Sequence, residues 1–255
     1  MSVERLQQAI RRCKTPVALG LRADETVLKP GLVRQFVEMY GEGRFAIIEA
    51  LRYHGCRVLE QTAGILPAVY LDAMSYLRYG SAGLDVLQNL CTAAHGHGYY
   101  VIADCRADTA EGWFDILSEA DGVTVSPYSG GESCRVPEGK TVFPLLRTAG
   151  ALSGEVQSLM AGDRRLYMAV ADQMARRGLG CVMETGYSLD IREVRKKQEK
   201  LFLVLTHCDA DNAAYAFDDY GHGALVVDDA IAVAADAAEA AASAVKAMKK
   251  TVTVL

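Results

Sequence analysis

The sequence contains no C-x-x-C pair, no unbroken run of about 20 strongly apolar residues, no excess of basic charge and no linker rich in Pro, Gly or Ser. Each absence removes a class of protein. Its seven cysteines, at positions 13, 56, 91, 105, 134, 181 and 208, are odd in number and unpaired by any motif. In a chain of 255 residues, large enough to bury its own core, that pattern points to free thiols and a cytoplasmic location. With 27 Lys plus Arg against 32 Asp plus Glu and a formal net charge of -5, no electropositive footprint exists for a nucleic-acid backbone. The longest low-charge stretches, 62–71 and 230–247, are too short or too alanine-rich to cross a bilayer, so no membrane partner is expected. The N-terminus carries Glu4, Arg5, Arg11 and Arg12 where a signal peptide needs an apolar run. No repeat of 20 to 50 residues is present. What remains, at 51% hydrophobic residues, is an ordered globular chain.

Short β-rich runs recur between longer helical ones, at 17–21, 68–71, 99–104, 122–126, 141–146, 181–184, 201–206 and 224–227. Most are continuously apolar, as in Tyr99-Tyr100-Val101-Ile102-Ala103, which is the mark of strands covered on both faces and hence of a parallel sheet. Eight strand–helix units predict one α/β domain spanning 1–255, a (β/α)8 TIM barrel. A helix over 1–15 precedes it, and an alanine-rich outer helix over 230–250 closes it, with Lys246, Lys249 and Lys250 opposing the negative end of its dipole.

In such a barrel, chemistry sits at the C-terminal ends of the strands. The residues there are, in strand order, Arg22 and Asp24; Tyr70 and Asp72; Asp104, Arg106 and Asp108; Ser126, Pro127 and Tyr128; Arg147 and Thr148; Glu184 and Thr185; His207, Asp209 and Asp211; Asp228 and Asp229. The third strand gives the strongest local signal, Asp104-Cys105-Arg106-Ala107-Asp108, with two carboxylates and a guanidinium at one strand end. Asp104 ends an apolar strand and is expected to point into the mouth. Asp108 admits two readings, a site residue or the N-cap of a helix with Glu111 as its partner. Blander readings serve elsewhere. His95 and His97 end a helix at the opposite face, Cys105 alternates away from the mouth, Trp113 packs helix against barrel, and 192–197 is a solvated charged face.

The third-strand segment resembles the signature of the orotidine 5'-monophosphate decarboxylase family, in its type 2 branch, where the order is Asp, any residue, Lys, two residues, Asp. Tyr79-Gly80-Ser81-Ala82-Gly83-Leu84 is similar to that family's second helix start, and 121–130 to its fourth strand and loop. Arg147-Thr148, Gln157, Leu166-Tyr167 and Val170-Ala171 follow in the family's order. The resemblance implies decarboxylation of orotidylate to uridylate in pyrimidine nucleotide biosynthesis, without a cofactor, in a dimer whose last signature Asp completes the neighbour's site. It makes Asp104, Arg106 and Asp108 the catalytic candidates, and Tyr70, Ser126, Pro127, Thr148 and Arg22 the contacts to a nucleotide ligand.

The chain departs from that pattern at several positions. Tyr70 and Arg106 stand where the family has lysines, the signature is one residue short, Arg22 replaces an Asp, and Ala149 replaces a Ser. A guanidinium holds its proton and makes a poor general acid. Asp209, Asp211, Asp228 and Asp229 occupy the region where the family grips phosphate with amides and an Arg, and anions prefer the latter. The sequence therefore predicts a non-catalytic or regulatory paralogue, paired as a homodimer or in a mixed dimer with an active relative. The alternatives are a working decarboxylase with a reorganised site, and a divalent-metal enzyme using His207, Asp209 and Asp211 with Glu184, Asp228 and Asp104.

Overall fold

Eight parallel strands close into a barrel in a computed structural model that describes residues 2–129, 135–184 and 188–255. They are β1 (Val17–Leu21), β2 (Ala68–Leu71), β3 (Tyr100–Ala107), β4 (Gly122–Val125), β5 (Thr141–Arg147), β6 (Cys181–Glu184), β7 (Leu203–Thr206) and β8 (Ala224–Asp228). Each pairs with its sequence neighbour, and β1 closes the ring on β8 with Val17 opposite Val226. The predicted TIM barrel is therefore the observed fold. Among the described residues, no helix is long and apolar enough to cross a membrane.

Strand alternation divides the apolar residues into two cores. Ala18, Ala68, Tyr70, Tyr100, Ile102 and Phe143 point into the barrel, while Val17, Leu19, Val69, Leu71, Val101 and Ala103 pack outward beneath the helices. Because both faces are covered, every residue of β1, β2 and β4 is buried, and this is why the strands read as unbroken apolar runs. Phe143 fits inside only because Gly122 and Gly180 lack side chains. A Cβ on Gly122 would lie 2.8 Å from the Phe143 ring, and one on Gly180 would lie 3.0 Å from it.

The N-terminal helix α1 (Ser2–Cys13) plugs the bottom of the barrel, with Leu6 and Ile10 joining the interior core. Burying two such side chains contributes about 1.5–3 kcal/mol each. Arg5 fixes the helix by donating to Asp121 at 2.6 Å, and the other oxygen of Asp121 accepts from the Val101 amide at 2.9 Å.

The outer layer includes α2 (Pro30–Tyr40), α3 (Arg44–Thr62), α4 (Ala73–Leu77), α5 (Ser81–Gly96), α6 (Glu111–Ile116), α7 (Ala151–Gln157), α8 (Leu166–Arg176), α9 (Ser188–Lys197) and the short α10 (Ala210–Ala213). The expected closing helix is broken in two, α11 (Ala230–Val233) and α12 (Ala237–Met248). Asp236 causes the restart, because its carboxylate caps the Glu239 amide at 3.0 Å and so begins a new helix in place of extending the old one. Lys246 lies in the last turn of α12, whereas Lys249 and Lys250 fall beyond its end.

Candidate active site at the barrel mouth

The third strand runs three residues further than its apolar run, and the extension is irregular. Ala103 pairs with Val123, but the next paired residue, Ala107, faces Val125. The extra residues bulge, which is how strands re-aim side chains near sites. Arg106 takes a left-handed backbone with φ of 47°, unfavourable for a residue with a Cβ. Its amide leaves the ladder and donates instead to the Thr124 hydroxyl at 2.9 Å.

This bulge turns the Arg106 guanidinium back over the mouth. It donates to Asp104 at 3.2 Å and also to Glu184, which ends β6. Asp104 and Glu184 are buried, and the Arg106 side chain is 43% exposed. The remaining carboxylate oxygens are also served: Thr124 donates to Asp104 at 2.5 Å and the Ala149 amide to Glu184 at 3.3 Å. Buried charge is tolerable only when paired and hydrogen-bonded in this way. Burial alone would lower the Arg106 pKa, but the charges of Asp104 and Glu184 outweigh it and hold the pKa above its ordinary value.

The cavity beneath has a volume of about 80 Å³ and is lined by Tyr70, Asp104, Arg106, Glu184 and Thr206, with Arg22, Asp72, His207 and Asp229 at its rim. The Tyr70 and Thr206 hydroxyls are buried there without hydrogen-bond partners of normal geometry. Burial, reinforced by the Asp104 and Glu184 charges, raises the Tyr70 pKa well above the phenol range. Desolvation likewise raises the carboxyl groups of Asp72 and Asp229. Arg22 turns aside to Asp24 at 2.8 Å, and that pairing, after the Thr26 hydrogen bonds, helps hold Asp24 down at about 2.

The mouth thus gathers Tyr70, Asp104, Arg106, Arg22 and His207 from the expected set and leaves others aside. Asp108 is exposed and accepts from Ser129 at 2.6 Å. It does not cap α6: Ala110 occupies that position with no side-chain bond. Ser126 and Pro127 start the turn after β4, where the Ser126 hydroxyl only meets the Tyr128 amide at 3.4 Å. Thr148 is held by Gln157, whose side chain accepts from the Thr148 amide at 3.0 Å and donates to its hydroxyl at 2.9 Å. Thr185, Gly130 and Cys134 lie outside the described residues.

The acidic loop after β7 does not form the expected cage. Asp209 caps α10 through the Asn212 amide at 2.8 Å, Asp211 lies exposed in the first turn of that helix, and Asp228 accepts from the Ala230 amide at 2.9 Å. These carboxylates serve local turns, and among the described residues no group of three or more His, Cys, Asp or Glu could hold a metal ion. The 192–197 face is exposed as expected at Arg192, Glu193, Lys196 and Lys197, with Arg195 partly buried. Arg192 lies 3.5 Å from the centre of the Tyr215 ring, and the partly buried Arg195 donates to the Gly223 carbonyl at 3.0 Å. His97 does end α5, and buried Cys105 packs outward with its thiol pKa raised by desolvation.

Thr124 and Thr206 escaped sequence reasoning, and Glu184 was read as a strand-end residue and metal candidate without its ion-pair partner. Alternation along the strands would have found them, since Val182 and Val204 are interior residues two positions before Glu184 and Thr206. A second signal was the distribution of lysine: none occurs between Lys29 and Lys140. Lys140 itself precedes β5 at the other end of the barrel, donating to the Ser118 and Ala120 carbonyls at 2.6 and 2.8 Å. No lysine lines the mouth among the described residues, and 130–134 and 185–187 contain none.

No protein-family model matches the chain. Among curated proteins, orotidine 5'-phosphate decarboxylase of Halobacterium salinarum is 31% identical over 182 residues, covering 68% of this chain and 63% of that protein. The protein of that name from Thermomicrobium roseum is 28% identical over 211 residues, covering 76% of this chain and 70% of its own length. The match to the Halobacterium protein therefore spans less than two thirds of that relative. The solved structure of Leishmania donovani OMP decarboxylase superposes with a TM-score of 0.77 at 23% identity, covering 98% of both chains. Plasmodium berghei orotidine 5'-monophosphate decarboxylase superposes with a TM-score of 0.82 at 14% identity, covering 97% of both. These structures share the fold, the curated sequences share the lineage, and the chain belongs to the orotidine 5'-phosphate decarboxylase family.

Proposed function

We propose that this member of the family has lost most or all decarboxylase activity and acts as a regulatory or scaffolding protein of pyrimidine nucleotide metabolism, paired with a second copy or with an active relative. One observation carries the reading: Arg106, which stands where the family resemblance implies a lysine proton donor, is clamped by Asp104 and Glu184. Decarboxylation leaves a carbanion that must be protonated, and positioned general acids contribute about 10²–10⁴-fold to such steps. A guanidinium with two carboxylates on it gives up no proton near neutrality. The cavity of about 80 Å³ is also small beside the roughly 300–1,000 Å³ of ordinary ligand pockets.

Pairing is supported by the rim. Asp108 is exposed there, and apolar side chains on the segments after β4, β5 and β6 are left in water: Tyr128, Leu152, Val156, Met160 and Leu189. Exposed apolar side chains on neighbouring loops of a protein surface are the raw material of an interaction site.

The competing reading, a working decarboxylase, draws on the names of the curated relatives. It requires Arg106 to leave both carboxylates when substrate enters. Steady-state loss of orotidylate absorbance, followed with purified protein, separates the two. The proposal expects no loss above the protein-free control; turnover at a rate ordinary for enzymes, about 1 s⁻¹ or more, overturns it.

A further inference from the structure

We propose that the mouth binds a protonated aliphatic amine, its ammonium seated among Tyr70, Thr206 and Asp229 and its carbon chain directed toward Val227 and Met248. The inference rests on the reading of the mouth as non-decarboxylating and names the chemistry of the ligand that replaces the nucleotide.

Two independent observations support it. The first is charge. Four carboxylates line the cavity, those of Asp72, Asp104, Glu184 and Asp229, against two guanidiniums and the imidazole of His207. Both guanidiniums are engaged, Arg106 by Asp104 and Glu184 and Arg22 by Asp24, so Asp72 feels only the more distant charges of Arg106 and Arg22, and Asp229 those of His207 and Arg22, without an ion pair of its own among the described residues. The second is hydrogen bonding. The Thr206 hydroxyl belongs to a residue only 5% exposed, lines this same cavity and has no partner, and the equally buried Tyr70 hydroxyl has only an interaction with Asp104 outside normal hydrogen-bond geometry. An unsatisfied buried hydroxyl is costly, so the cavity is built around something that bonds to oxygen.

An ammonium meets both demands, because it carries three N–H donors and no acceptor, matching hydroxyl oxygens and a carboxylate while neutralising the excess charge. Water would satisfy the hydroxyls and leave the charge. A phosphate would be repelled by Asp229, and a divalent ion finds no set of three ligating side chains among the described residues. Size agrees as well. About 80 Å³ accommodates two or three waters at roughly 30 Å³ each, the bulk of a methylammonium head. A wider cavity of about 400 Å³ shares His207, Val227 and Asp229 with the mouth, and its walls include the apolar side chains of Val17, Ala244 and Met248. A short alkyl chain fits that wall.

Isothermal titration calorimetry at fixed chloride concentration tests this with propylammonium, with tetramethylammonium, which has the charge but no N–H, and with magnesium. The wild-type protein should bind propylammonium saturably and neither of the others. Thr206→Val keeps the side-chain shape and should lower affinity at least tenfold while leaving the melting temperature of the free protein unchanged or higher. Asp229→Asn should lower affinity similarly. Equal binding of tetramethylammonium, a response to magnesium alone, or wild-type affinity in Thr206→Val overturns the inference. Orotidylate turnover is measured on the same preparation: absence of both turnover and amine binding overturns the inference alone, whereas turnover overturns the reading on which it rests.

Discussion

Replacing Arg106 by Met removes the cation from the mouth while keeping an apolar stem of similar length. Two carboxylates that are almost fully buried, with side chains 4% and 7% exposed in Asp104 and Glu184, then face each other with no cation between them. Removing one partner of a buried pair costs about 3–5 kcal/mol. Water reaches this network through the 43% exposed Arg106 side chain, and Thr124 and Ala149 still donate to the carboxylates, so we expect about 2–3 kcal/mol after discounting for screening. In a domain of this size that lowers the melting temperature by about 5–10 °C. Adding Glu184→Gln should recover about 1 kcal/mol or more at pH 7. Urea denaturation at pH 7 provides the measurement. An Arg106→Met protein within about 0.5 kcal/mol of wild type, the range of an ordinary surface change, would show that the guanidinium does not hold these two carboxylates in place.

Other perturbations follow from the same structure. Thr124→Val deletes the donor to Asp104 and the acceptor of the Arg106 amide, and should cost about 1–3 kcal/mol in urea denaturation. Asp229 has a carboxyl pKa raised by burial, so the folded state holds its proton more tightly than the unfolded chain does. Asp229→Asn should accordingly be more stable than wild type above the folded pKa, with the advantage vanishing as pH falls to the unfolded value near 4, read from denaturation midpoints at pH 8, 6 and 4. Gly122→Ala forces a methyl group against the Phe143 ring and should cost about 1–3 kcal/mol in thermal denaturation, partly recovered by Phe143→Leu.

The barrel was legible because two-sided burial makes parallel strands continuously apolar, and all eight runs lie within about two residues of the observed strands apart from the longer third. The bulge was not legible: it comes from Thr124 capturing the Arg106 amide, a contact between side chain and backbone 18 residues apart that no local pattern encodes. The same bulge carries Asp108 out of reach of α6, so a sequence that reads as a helix cap makes a bond to Ser129 instead. Glu184 was visible as a strand end, but its partner was not, since ion pairs across a barrel are set by closure. In 230–250 the alanines masked the break at Asp236, whose capping carboxylate outweighs the helix propensity around it.

We propose that the mouth holds a locked guanidinium, Arg106, in place of a proton donor. Release of labelled carbon dioxide from carboxyl-labelled orotidylate, with protein in excess over substrate and incubated for hours, tests it most directly because even one turnover per site is counted. With Arg106 locked, release should be indistinguishable from a protein-free control. Stoichiometric release that disappears in the Asp104→Ala protein would contradict it.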